Sequence, residues 1–279
     1  MTSKEENRTL FDKINLYGFN NLTKTLSFNI YDICHVETEA EKEAYLAYIH
    51  SQYNSERLTN ILKNVTQTIG AHVLNISKQD YLPQGASVNL LITEEPIDDH
   101  QVDASCNKGN FETTLRAYGD EIMAHLDKSH ITVHTYPEYH PDEYICTFRV
   151  DIDVSTCGLI SPLKSLNYLI SSFDSDIITV DYRVRGFTRE VNANKIFMDH
   201  KITSIQDYIA PETLQKYERM DVNVYQSNLF HTKMMLRDLE IGNYLFETDV
   251  YQLSEAKKAT ILKHLQEEMT EIYHGANIF

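Results

Sequence analysis

The sequence predicts an α+β fold, an α/β sandwich whose largely antiparallel sheet is covered by helices. The order of periodic segments is the first reason: strand, helices, strand, strand, strand, strand, helix, strand. Hairpin neighbours of this kind build antiparallel sheets, whereas a doubly wound sheet alternates strand and helix. The second is continuity, because no Pro/Gly/Ser linker divides the 279 residues, and one domain is expected. The third is glycine scarcity: nine in all, the closest pair, Gly109 and Gly119, ten residues apart. Phosphate-cradling loops need glycines a few residues apart, so the common dinucleotide and NTPase folds are excluded.

Each element has a local cause. Residues 25–33 (TLSFNIYDI) alternate, with Leu26, Phe28 and Ile30 on one face. Thr38 and Glu41 form a capping box that starts a helix running to about Tyr53. A second helix spans Ser55–Ile69, and Gly70 occupies the position after its end. Strands follow at His72–Ser77 and Ser87–Thr93, joined by a turn around Pro83-Gln84-Gly85. Periodicity dissolves between Glu94 and about Ala124, an acidic stretch expected to be a functional or mobile loop. It returns at His130–Thr135 and in the clearest strand, Tyr144–Thr156. There Phe148, Val150, Ile152 and Val154 share one face, and Arg149, Asp151, Asp153, Ser155 and Cys157 the other. Ser161-Pro162 opens a helix with the stripe Leu163, Leu166, Leu169, Ile170 and Phe173. A strand over Asp176–Val184 comes next. Beyond it the pattern predicts a helix over 190–208, a strand near 221–229 and a C-terminal helix over Ser254–Tyr273.

Composition narrows the function. Forty-one acidic against 25 basic residues give a formal charge of −16. Nucleic-acid binding draws on Lys and Arg, so no nucleic-acid partner is expected; bulk acidity suits a cationic small molecule or plain solubility. Four cysteines (Cys34, Cys106, Cys146, Cys157) form no C-x-x-C pair and no disulfide framework. Neither a secretory signal nor a membrane-length apolar run is present, so a soluble, cytoplasmic protein without membrane contact is expected.

Two places could carry chemistry. Residues 125–140 (HLDKSHITVHTYPEYH) hold four histidines. As a strand, this run sets His130 and His134 about 13 Å apart on one face, too far to share a metal ion. No metal-ligating residues are assigned. Cys157 ends a strand just before the helix opened by Ser161, where a thiol is open to activation. Spacing alone favours the plainer reading, a small, half-buried apolar residue.

Lys128-Ser129-His130 with ITVHTYPE (131–138) resembles the self-cleavage site of bacterial S-adenosylmethionine decarboxylases of the longer, enterobacterial type. YGFNNLTKTLSFNIYDIC (17–34), LNISKQDYLPQGASV (74–88), DVSTCG (153–158), DYRVRGFTR (181–189) and VNVYQSNLFHTKM (222–234) agree with the same family in order. The resemblance implies a proenzyme cut between Lys128 and Ser129 into residues 1–128 and 129–279. Ser129 would become a pyruvoyl cofactor that forms a Schiff base with S-adenosylmethionine and draws off electrons during decarboxylation. It implies His134 as the base for processing, Ser87 as a processing aid and Cys157 as the proton donor that follows loss of CO₂. It further implies a product used for spermidine, a divalent cation such as Mg as activator, and a heterooctamer of four copies of each cleaved chain. In an ideal strand Ser129 and His134 face opposite ways, so a turn at Lys128-Ser129 or a later strand start is required. Phe19, Tyr31, Asp32 and the Asp151/Asp153 pair are candidates to face the substrate's sulfonium, and each reads equally as a core or surface residue. Two alternatives stay open: an inactive relative that regulates an active decarboxylase, and a thiol hydrolase using Cys157 with a histidine in an uncut chain.

Overall fold

A computed structural model describes residues 20–81, 84–94, 129–139 and 144–279. Phe19, Cys106, Lys128 and the loop 95–124 lie outside the described residues. The first strand, β1 (Thr23–His35), leads to helices α1 (Glu39–Gln52) and α2 (Ser55–Ile69). Strands β2 (His72–Asp80), β3 (Ala86–Thr93), β4 (His130–Tyr139) and β5 (Ile145–Cys157) follow. A 3₁₀ turn, Pro162–Ser165, opens α3 (Leu166–Ser172) and leads to β6 (Ile177–Arg185). The C-terminal part adds a small pair, β7 (Thr188–Arg189) and β8 (Lys195–Ile196), then α4 (Pro211–Lys216), β9 (Tyr217–Asp221), β10 (Leu229–Leu236) and α5 (Glu255–His274).

Eight strands form one sheet in the order β2-β3-β4-β5-β1-β6-β10-β9. Every neighbouring pair in it is antiparallel. The expected α+β sandwich is therefore what the chain builds. The alternation predicted for β1 and β5 sets the two faces. Leu26, Phe28 and Ile30 meet Val154, Ile152 and Val150 in register, all 1% exposed or less. Against this face lies α2, whose Leu58, Leu62, Val65 and Ile69 recur at helical spacing and are buried. Asn54 caps its start by accepting the Arg57 N–H, and Gly70 (φ +83°) ends it in the left-handed region that glycine enters freely. The Thr38/Glu41 capping box of α1 is also present.

The second face changes character along its length. At the His35 end it is apolar: Ile33, Ile145 and Ile177 are covered by Ile261, Leu265 and Met269 of α5. Toward Thr23 and Cys157 it is polar, with Asp153 exposed and Thr25, Ser27 and Asn29 half-buried. None of the described helices is long and apolar enough to cross a membrane.

Two expectations in the last third are corrected. Residues 190–208 form no α-helix. Glu190–Asn194 make a tight turn, in which Ala193 takes φ +69° and Glu190 N–H donates to Asn194 O. Asn192 also accepts the Asn194 N–H, local bonding that competes with helix. The strand expected near 221–229 is instead the connection between β9 and β10, turned by Asn228 at φ +48°. The helix expected at Ser161 begins as a 3₁₀ turn, and Ser161 makes no side-chain cap. Its apolar stripe is nonetheless buried as predicted.

Candidate active site

Ser129 stands one residue before the β4 ladder, in a bend. The bend resolves the parity conflict: the ladder starts at His130, and Ser129 turns its hydroxyl to the face that carries Cys157. Ser129 Oγ lies 3.2 Å from Cys157 Sγ, and the serine is 8% exposed. Its carbonyl accepts the Ile92 N–H at 3.3 Å, tying the bend to β3. Two residues 28 apart in sequence are brought together because β4 and β5 pair antiparallel, His130 opposite Ser155.

The turn after Cys157 is clamped from two sides. Gly158 adopts φ +73°, the left-handed region that glycine enters freely, and packs against the Glu94 carboxylate. Glu94 accepts the Leu159 N–H with both carboxylate oxygens, at 3.1 and 3.2 Å. From the other side Lys24, 2% exposed, donates to Gly158 O at 3.0 Å and Ile160 O at 3.2 Å. Its charge is met by Asp199 at 2.7 Å. Burial works against that carboxylate, but His200, Lys24 and Asn20 outweigh it and hold Asp199 below the usual carboxylate range. Lys24, Glu94 and Asp199 were not anticipated from sequence. Lys24 left a signal, a lysine at a core-face parity between Leu22 and Leu26.

Ser87 and His134 form a second pair. They are register partners across β3 and β4, and the next residue along that row is Asp151. Tyr81 donates to Ser87 Oγ at 2.9 Å. The His134 ring lies against Tyr136, which in turn carries the Arg149 guanidinium 4.4 Å over its ring. Within one chain the two pairs stay apart. His134 is five residues along the chain from Ser129, about 16 Å at strand rise, and its partner Asp151 is six from Cys157, about 20 Å.

The polar face between the pairs is built of the remaining candidates. Asp151 accepts from Asn29 and pairs with Arg149 at 2.8 Å, and Asp153 accepts from Ser27. Tyr31 lies on this face beside Arg149. Asp32 does not: it faces the opposite way, nine residues from Thr23, the register partner of Cys157, a distance of about 30 Å. His130, first considered only as a metal ligand, stands diagonal to Cys157 with its Nδ1 buried and without a partner among the described residues. No group of three or more His, Cys, Asp or Glu gathers as metal ligands among the described residues.

Comparison with known proteins gives the site a setting. The family model described as S-adenosylmethionine decarboxylase matches residues 43–186, which span Ser87, Ser129, His134 and Cys157. A protein of Clostridium beijerinckii named S-adenosylmethionine decarboxylase proenzyme is 63% identical over 97% of this chain and 99% of its own length. Relatives of the same name in Alkaliphilus oremlandii and Halorhodospira halophila are 65% and 57% identical, each over 96% of this chain and 98% and 97% of their own. Likeness along nearly the full length, with a family model spanning residues 43–186, makes the chain a member of the S-adenosylmethionine decarboxylase family.

Proposed function

We propose that this chain is a self-cleaving proenzyme that decarboxylates S-adenosylmethionine with a pyruvoyl group made from Ser129. One domain is thereby cut into residues 1–128 and 129–279. The observation that carries this is the 3.2 Å contact between Ser129 Oγ and Cys157 Sγ. The residues fit the group: anything built on the Ser129 Cα lies beside the thiol, and Ser129 is shielded from bulk water. Once formed, the pyruvoyl would supply an electron-withdrawing carbonyl, a sink for the electron pair left on the substrate carbon when CO₂ departs.

The chain's own residues do the rest. In maturation Ser129 Oγ attacks the Lys128 carbonyl carbon; a C–O bond forms, the C–N bond breaks, and nitrogen takes the proton. Loss of the Ser129 Cα proton then expels residues 1–128 as a carboxylate. Water enters and ammonia leaves to complete the new terminus. His134 takes the Cα proton, and Ser87, its cross-strand neighbour, assists. In turnover Cys157 returns a proton to the substrate carbon after CO₂ leaves. The clamp of Lys24 and Glu94 on the turn after Cys157 holds that thiol in place.

Because His134 cannot span about 16 Å to the Ser129 of its own chain, a second copy supplies it. Two sheets facing each other across their polar ends, related by a two-fold axis crossing the strands near Thr132, set the Ser129 end of one against the His134 end of the other. A two-fold interface is self-complementary, so both sites are completed at once. Two such pairs make the heterooctamer of four copies of each cleaved chain. Family likeness further points to Mg or another divalent cation as activator and to spermidine synthesis as the destination of the product.

Release of CO₂ from carboxyl-labelled S-adenosylmethionine tests the reaction. Ser129→Ala is expected to stay uncut and inactive. Cys157→Ala is expected to be cut but to lose about 10²–10⁴ in kcat, the usual worth of a positioned acid. Full turnover by Cys157→Ala would remove its role as proton donor.

A further inference from the structure

Cutting between Lys128 and Ser129, as proposed above, leaves the large sheet shared by two chains. Residues 1–128 supply β1, β2 and β3, and residues 129–279 supply β4, β5, β6, β9 and β10. The strand order sets β1 between β5 and β6, so a strand of the first chain lies between two of the second. Cys34, Cys146 and Cys157 are free thiols, and among the described residues only non-covalent contacts join the two chains. At this junction two thiols meet. Cys34 in β1 and Cys146 in β5 are register partners, each one residue from the end of its strand. Both lie on the apolar face, and both are buried. Directly opposed residues of an antiparallel pair have Cα atoms about 4.5–5.5 Å apart, and a disulfide spans about 4.4–6.8 Å. The backbone thus already has the spacing of a cystine, and the two thiols are hydrogen-bond neighbours. Cys157, at the far end of β5, is about 36 Å away along the strand and cannot compete for either thiol.

A small oxidant can reach the pair although it is buried. Cys34 lines a cavity of about 710 Å³ that opens between the end of β1, α1, α4 and the turn 243–246. Burial first, then Cys146, Asp32 and Asp176, push the Cys34 thiol well up in pKa. Thiolate is the reactive form, so the pair reacts slowly and stays reduced until peroxide accumulates.

We propose that hydroperoxide closes a disulfide between Cys34 and Cys146, and that this bond joins the two chains which self-cleavage leaves separate. The joining, though not the disulfide, rests on the proposed cleavage. Hydrogen peroxide transfers an oxygen to the Cys34 sulfur, giving a sulfenic acid and one water. The Cys146 sulfur then attacks the Cys34 sulfur; the S–S bond forms, the S–O bond breaks, and the oxygen leaves with the Cys146 proton as a second water. Two thiols are oxidised and one peroxide is reduced. Mature, full-length protein is treated with hydrogen peroxide, capped with N-ethylmaleimide and denatured. It is expected to run as one species carrying both chains, and as two chains after dithiothreitol. Peptide mapping without reductant is expected to find Cys34 linked to Cys146. Cys34→Ala and Cys146→Ala are each expected to abolish the joined species, and Cys106→Ala to leave it. The uncut Ser129→Ala chain is expected to give the same linked peptides within one chain, so the map tests the disulfide independently of cleavage. An uncut wild type with the linkage would overturn the cleavage and the joining while the disulfide stands. Absence of the Cys34–Cys146 peptide from both proteins, or a joined species that persists in Cys34→Ala, would overturn the proposal.

Discussion

At the scale of single residues, the chemistry rests on placements that side-chain periodicity alone does not disclose. Alternation along β5 shows that Cys157 shares a face with Asp151 and Asp153. It cannot show that Ser129 leaves its own strand and reaches that face, because the bend belongs to no repeating pattern. The motifs singled out Ser129, His134, Ser87 and Cys157, which the fold brings together two by two, whereas Lys24 was visible only as a breach of parity. Asp32 and Asp176 show what burial does to acids without a counterion. Desolvation raises both, and each bears on the other. A folded-state pKa above the unfolded value means that the folded chain holds more protons. The associated stability is complete below the ordinary carboxylate range and is lost as pH rises through the raised folded values. Urea unfolding is therefore expected to find the wild type less stable relative to Asp32→Asn at pH 8 than at pH 5. A difference independent of pH would show that Asp32 titrates alike in both states.

At the scale of elements, the regular parts of the fold were legible because hydrophobic period and cap agreed. Helix α2 has its stripe, its Asn54 cap and Gly70, and its bounds match expectation to the residue. Residues 190–208 failed because apolar spacing there imitated a helix while Asn192 and Asn194 directed a turn. The connection between β9 and β10 was read as strand because Asn228, which makes the turn, sits among residues that favour strand. Lys24 is the tie between elements that matters most to the site. It links β1 to the turn after β5 and, through Asp199, to the segment following β8. Lys24→Met would leave Asp199 buried without its cation, a loss of about 3–5 kcal/mol. Chemical denaturation is expected to show that loss. Pairing the change with Asp199→Asn is expected to cost less than the sum of the two single changes.

At the scale of the whole molecule, one face of the sheet is apolar under helices and the other is polar where the candidate site residues lie. Ser129 with Cys157, and His134 with Ser87, occupy opposite ends of the same polar stretch, and the proposed function has facing copies complete one another. Rescue in trans follows. A His134→Ala chain is expected to stay uncut alone, yet to be cut when co-expressed with Cys157→Ala. In mixed pairs one of two sites is then wholly wild type, which restores about a quarter of wild-type activity under random pairing. Failure of rescue would confine each site to one chain. The claim on which all of this depends is that the protein makes its own cofactor, and the intact mass of the purified protein tests it most directly. Two chains are predicted, residues 1–128 and 129–279, the second blocked to sequential N-terminal degradation. A single uncut chain of 279 residues that retains full decarboxylase activity would contradict it.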